Sequence, residues 1–231
     1  TPRTPPIGVL ERGISILECF NESQLRLNLN DLAIKTGLNK ATLLRLLNVL
    51  IQARMIYRDE SGSYSPGASL LHMGMLYRST FNLGERIQPV LLNVMQKTGE
   101  TVAFYVRNDE DRICLYRENT NKELRHHVEA GTRIPLKDGG SSAHILKAFT
   151  GDNSTTSKSI RNKGFAITRS ERISGMASVA LPVFEGTNNF LGALVVIGLA
   201  SRFNMDAQKK AIDIVRKELH KHGLDTAITE Q

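Results

Sequence analysis

The chain has 231 residues, 41% apolar and 23% charged, with no low-complexity tract, which suits two globular domains and excludes a fibrous or disordered polypeptide. No uncharged apolar run reaches the roughly 18 residues a membrane-spanning helix needs, and the longest apolar stretch, 190–200, is strand-sized. The net charge of +7 is shared between the halves, with nine Lys/Arg against six Asp/Glu in residues 1–80 and twenty-one against seventeen in 81–231. Residues 1–7 carry Pro2, Pro5 and Pro6 without the apolar centre of a signal peptide, and are expected to form a flexible leader. Cys19 and Cys114 lack any CxxC or Cys/His spacing, so reduced thiols in a cytoplasmic protein are expected.

Apolar residues Val9, Leu10, Ile14, Leu17 and Phe20 recur at helical spacing and predict a first helix over 8–20. A short extended segment at 26–28 follows. Asn30 then serves as N-cap of a helix over 31–36, which Gly37 terminates. Asn39 caps the next helix, 40–53, with Leu43, Leu46, Leu47, Leu50 and Ile51 on one stripe and Lys40, Ala41, Leu44, Arg45 and Asn48 on the other. Extended segments 55–58 and 63–65 flank the turn Asp59-Glu60-Ser61-Gly62, a hairpin signal. Helix, helix–turn–helix and hairpin together predict a winged helix.

A helix over 68–81 with Leu70, Leu71, Met73, Met75 and Leu76 is the expected connector, and another follows over 83–97. From Thr98 the period changes. Strands are predicted at 101–107, 112–118 and 123–129, then a helix from the Gly139-Gly140-Ser141-Ser142 turn to Phe149. A second strand pair, 178–184 and 190–199, surrounds Gly186-Thr187-Asn188, and an amphipathic helix over 206–220 closes the chain. The fold class is therefore α+β, and the second half reads as a sensor-like domain built on an antiparallel sheet. The expected division is a winged helix-turn-helix domain over 1–67, a linker helix over 68–82 and a second domain over 83–231.

The window 35–58 holds Lys35, Lys40, Arg45, Arg54 and Arg58 and no acid, while Asp31 and Asp59 bracket it. A helix on a basic, acid-free surface is the electrostatic footprint of a duplex-DNA reader. Asn39, Lys40, Ala41 and Thr42 lead the recognition helix, where phosphates or base edges come within reach. Arg45, one turn on, suits guanine, and Leu44 a thymine methyl group. Arg58 and the tip at 60–64 would meet the backbone or minor groove. The plainer alternative is that Leu44 packs on the wing and Arg45 joins a salt bridge.

Several stretches in this order resemble the IclR-type bacterial transcription regulators from near Gly8 to near the C-terminus. They are Leu29-Asn30-Asp31-Leu32-Ala33, Gly37-Leu38-Asn39-Lys40-Ala41-Thr42, Arg45-Leu46-Leu47, Gly62-Ser63-Tyr64-Ser65-Pro66-Gly67 and Thr98-Gly99-Glu100-Thr101. Gly131-Thr132-Arg133-Ile134-Pro135-Leu136, Gly164-Phe165-Ala166, Ala180-Leu181-Pro182-Val183-Phe184 and Ser201-Arg202-Phe203 complete the set. The resemblance implies an N-terminal winged helix, a C-terminal GAF-like effector-binding domain, and a homodimer or dimer of dimers. It places the effector pocket at His126, Ile134, Gly140, Ser141, Thr168, Met176, Ser178, Val195 and Ile197. The chain departs from the family at 150–163, which is shorter than the usual helix-bearing segment. Either this member has lost those helices or a stretch is missing from the chain. It departs again at Leu44, Val195 and Ile197, where the family usually has polar residues, so an apolar ligand body such as an aromatic ring is expected.

The Gly139–Ser142 turn at a helix start suits a carboxylate, because backbone N–H groups there have no helical acceptor. The plainer reading is a turn above an ordinary core. His126 and His127 cannot chelate one metal from adjacent strand positions, which point to opposite faces. Ser141, Ser142 and His144 form no catalytic triad, and GxSxG, P-loop and GxGxxG motifs are all absent from the sequence. No metal, cofactor or catalytic residue is expected. The reading is a ligand-responsive regulator, with repression expected over activation, that binds a near-palindromic double-stranded DNA operator and senses a small organic acid. The competing readings are an enzyme acting on a small acid and an architectural DNA-binding protein without a ligand.

Overall fold

The computed structural model describes residues 8–21, 23–80, 83–122, 128–186 and 189–226. The chain divides into two compact units, one up to Thr80 and one from Phe81 onward.

The first unit contains α1 (Val9–Leu17), α2 (Leu29–Thr36), α3 (Lys40–Gln52), an antiparallel hairpin of β1 (Ile56–Arg58) and β2 (Tyr64–Pro66), and α4 (Ala68–Thr80). The N-cap of α2 is Asn28 rather than the expected Asn30. Asn28 Oδ1 accepts from the N–H groups of Asn30 and Asp31 at 2.8 and 3.0 Å, while Asp31 Oδ2 accepts from the Asn28 N–H at 3.0 Å. This reciprocal pair satisfies three otherwise orphaned donors, an advantage Asn30 does not have. Gly37 adopts φ +70° and donates its N–H to Ala33 O, which ends α2 and frees the chain to turn into α3. Ile16, Leu32, Leu43, Leu47, Ile56 and Tyr64 form the core beneath α3, each such burial being worth roughly 1.5–3 kcal/mol. Leu27 and Tyr64 exchange backbone hydrogen bonds at 3.0 and 2.8 Å, tying the segment before α2 to the wing.

The second unit contains α5 (Leu83–Thr98), β3 (Thr101–Asn108), β4 (Asp111–Glu118), β5 (Arg133–Pro135), a 3-10 turn (Leu136–Asp138), α6 (Ser141–Phe149), α7 (Thr155–Lys163), β6 (Ala166–Arg169), β7 (Met176–Glu185), β8 (Asn189–Leu199) and α8 (Met205–Lys221). The strands form one sheet in the order β5-β4-β3-β8-β7-β6, antiparallel throughout. Alternation along β3 sends Val102 and Phe104 to the α5/α8 face and Ala103 and Tyr105 to the α6 face. Buried Glu100 fixes the start of β3 by accepting from Lys122 Nζ at 2.8 Å and from Arg202 Nε and Nη2 at 2.7 and 3.0 Å.

Two expectations for this unit change. The strand over 123–129 falls mostly outside the described residues, and Val128 and Glu129 are not in a strand. Among the described residues the strand that follows β4 is β5, with Arg112 opposite Ile134. Residues 150–163, read as shorter than the family's segment either through loss of its helices or through a missing stretch, do carry one helix, the nine-residue α7, capped by Ser154 Oγ accepting from Ser157 N–H and stopped by left-handed Gly164.

Candidate functional site

Asn39 Oδ1 accepts from the Thr42 N–H at 2.9 Å, which fixes the start of α3. Lys40, Ala41, Leu44 and Arg45 are exposed on the helix, while Leu43 and Leu47 lock its opposite stripe into the core. Leu44 is 40% exposed, so it is not absorbed into the packing. None of Lys35, Lys40, Arg45, Arg54 and Arg58 forms an ion pair with a described acid, which leaves their charges uncompensated. Arg58 is held over the Tyr64 ring, 5.6 Å from its centroid, which directs the guanidinium along the wing. Within the wing turn, Asp59 Oδ1 accepts from Ser61 Oγ and from the Ser63 N–H. The Ser61 hydroxyl and then the Ser63 backbone N–H lower the Asp59 pKa, so this acid is held locally at the turn.

In the second unit a small, half-open cavity of about 50 Å³ lies where the N-terminus of α6 meets the sheet. Gly140, Ser141, Thr168, Met176, Ser178, Val195 and Ile197 all line it. Ile134 does not; it is packed in the core on β5. His126 lies outside the described residues. Gly139 and Gly140 have φ of +75° and +89°, which lets the turn deliver α6 with no side chain capping its first N–H groups. A chain of hydroxyls crosses the cavity: Ser141 Oγ and Ser178 Oγ are 2.7 Å apart, and Ser178 Oγ and Thr168 Oγ1 are 2.8 Å apart. Val195 and Ile197 add an apolar wall.

Ser142, part of the expected Gly139–Ser142 turn, also lines the cavity, and the structure brings to it further residues that the sequence reading passed over: Tyr105, Arg112, Glu171, Arg172, Ile173 and Ala177. Arg112 is only 2% exposed. Its sequence signal was strand alternation, since it shares a face with Cys114, a core residue two positions on. Glu171 pairs with His144 at 2.8 Å, linking the loop after β6 to α6. Burial raises the Tyr105 phenol to about 12 and the Cys114 thiol to about 11, so both are neutral near pH 7. Among the described residues no helix is long and apolar enough to cross a membrane.

Known proteins share this arrangement. The model of the IclR helix-turn-helix domain matches residues 9–60, and that of the bacterial transcriptional regulator IclR C-terminal domain matches 75–157 and 157–221. The HTH-type transcriptional repressor AllR of Klebsiella pneumoniae is 25% identical over 236 residues, covering 90% of this chain and 86% of its own length. AllR of Escherichia coli K12 is 24% identical over 232 residues with the same coverage. A putative IclR regulator from Silicibacter sp. TM1040 superposes with a TM-score of 0.79 at 21% identity, over 94% of this chain and 95% of that one. An IclR homologue from Microbacterium hydrocarbonoxydans, solved in complex with 4-hydroxybenzoate, superposes with a TM-score of 0.74 at 16% identity, over 93% of this chain and 100% of that one.

Proposed function

The chain belongs to the IclR family of bacterial transcriptional regulators, a family of DNA-binding proteins rather than enzymes, and we propose that it is a cytoplasmic, effector-responsive repressor acting as a homo-oligomer. The observation that carries this reading is the uncompensated cationic face led by Asn39, Lys40 and Arg45 on a well-anchored α3. A helix so placed presents its positive N-terminus and Lys40 to a phosphate backbone, with Thr42, Leu44 and Arg45 left to meet base edges. The wing, through Arg58, adds a backbone contact. Repression is supported by the relatives named as repressors. Self-association is supported by α4, whose Leu71, Met73, Met75 and Leu76 are each more than half exposed and offer apolar surface around the helix to a second copy. Two copies would meet a near-palindromic operator.

The second unit is the effector domain in this reading. Its ligand is a small organic acid: the bare first turn of α6 receives a carboxylate, the Thr168–Ser178–Ser141 hydroxyls meet a further polar group, and Val195 and Ile197 cover an apolar body. The 4-hydroxybenzoate held by a structural neighbour is an acid of this kind. Effector and operator affinities are then linked reciprocally. The test is footprinting of the DNA flanking the protein's own gene with purified protein. Protection of a near-palindromic site is expected, and no protection at any physiological salt concentration would refute the reading.

A further inference from the structure

The cavity holds a buried charge with no ion-pair partner among the described residues. Arg112 arrives from β4 with its guanidinium against the Gly139–Gly140 turn. Nη1 donates to Gly139 O at 2.9 Å, and Nη2 lies 3.8 Å from where a Cβ on Gly140 would sit. Nε is buried with no hydrogen-bond partner, and no described carboxylate stands within ion-pair distance. The Tyr105 ring, 5.6 Å from the guanidinium, supports its plane. Burial lowers the Arg112 pKa to about 10, with Tyr105 opposing that shift, Arg172 adding to it, and the Asp138 and Glu171 carboxylates opposing it from beyond ion-pair distance, so it stays a cation at neutral pH. Removing such a charge from water is costly unless an anion completes it. Of the charged lining residues, Glu171 hydrogen-bonds His144, lies against the Gly139 turn and acts on Arg112 from beyond ion-pair distance, and Arg172 adds a second cation to the wall.

We propose that Arg112 selects the effector, its guanidinium and the first-turn N–H groups of α6 together clamping the single carboxylate of a small mono-acid. This rests on the effector reading above and deepens it by naming the group that demands a charged ligand. A guanidinium binds a carboxylate through forked, charge-assisted hydrogen bonds, which a helix N-terminus alone does not provide. Neutral isosteres of the same shape would leave Arg112 uncompensated and are excluded for that reason. The Ser141–Ser178–Thr168 chain then reads a second polar group on the ligand.

The experiment is a thermal-shift comparison of the full-length protein and its Arg112→Met variant against a panel of small monocarboxylates, including benzoate, 4-hydroxybenzoate, pyruvate and glyoxylate, each beside its neutral amide. Wild type should gain at least about 3 °C with one or more acids at saturation and nothing with the matching amide. Arg112→Met should melt no lower than wild type without ligand, because an apolar side chain replaces an unpaired buried charge, and should lose the acid-induced shift with at least tenfold weaker binding. Equal acid shifts in both proteins would overturn the Arg112 clamp while leaving an organic-acid effector in place. Stabilisation by amides and not by acids, or by no acid at all, would overturn both. A lower melting point with an unchanged acid response would make Arg112 a structural tie to Gly139 and likewise overturn the clamp. Should Arg112→Met not fold, Arg112→Lys carries the test: it keeps the charge and loses the fork, so acid affinity should fall about tenfold. An unchanged affinity there refutes the proposal.

Discussion

Salt dependence tests the proposed DNA face quantitatively. Lys40, Arg45 and Arg58 are exposed on α3 and the wing, and none is neutralised by a described acid. With Lys40 and Arg58 on phosphates, two contacts per protomer give about four neutralised phosphates for a dimer, hence a log–log slope near −3.6 and a loss of roughly 10² in affinity between 50 and 200 mM salt. Lys40→Ala removes one contact from each protomer and should flatten that slope by about 2 units while weakening unrelated sequences equally. Arg45→Ala, if the guanidinium reads a base, should cost about 1–3 kcal/mol at the operator and much less elsewhere. Fluorescence anisotropy with labelled duplexes across a salt series measures all three quantities. A slope shallower than about −2, or a Lys40→Ala slope equal to wild type, would show that this face does not carry the contact.

Two further outcomes follow from packing and charge. A Cβ on Gly67 would lie 2.3 Å from the backbone oxygen of Arg54, so Gly67→Ala should destabilise the winged helix by about 1–3 kcal/mol or more; urea unfolding followed by circular dichroism checks this, and a loss below about 0.5 kcal/mol contradicts it. Hydrogen bonds from Lys97, then Lys221, hold the Glu218 carboxyl down at about 2 against the opposing effect of burial. A depressed folded pKa contributes stability that is complete above the ordinary value of about 4.5 and is lost as pH falls toward about 2. Melting temperature should therefore drop across that window, and Glu218→Gln should show a smaller drop; identical profiles would mean the network does not couple to folding.

The winged helix was legible because each of its signals is local. Asn39 before an apolar stripe, Gly37 at a left-handed turn and the Asp59–Gly62 hairpin each act within a few residues. The cap of α2 was misplaced because Asn28 and Asn30 carry the same chemistry, and only the reciprocal bond from Asp31 distinguishes them. The α7 helix escaped notice because only Ser157 and Ile160 are buried along it, too few to give an apolar period, although Ser154 and Gly164 mark its two ends. The edge strand β5 has three residues, below the length at which alternation can be read. Arg112 was missed for a different reason: a charged residue on an inward strand phase looks like a break in the pattern, and its purpose appears only once α6 is packed over it.

The central claim, an effector-coupled DNA-binding protein, is tested most directly by measuring both affinities on one thermodynamic cycle. Operator binding is titrated with and without an acid that stabilises the wild-type protein, and binding of that acid is titrated with and without operator. The account predicts that the acid changes operator affinity by a factor of about 5–150 and that operator changes acid affinity by the same factor. An operator affinity unmoved by every acid that binds, with acid affinity equally blind to operator, would contradict it.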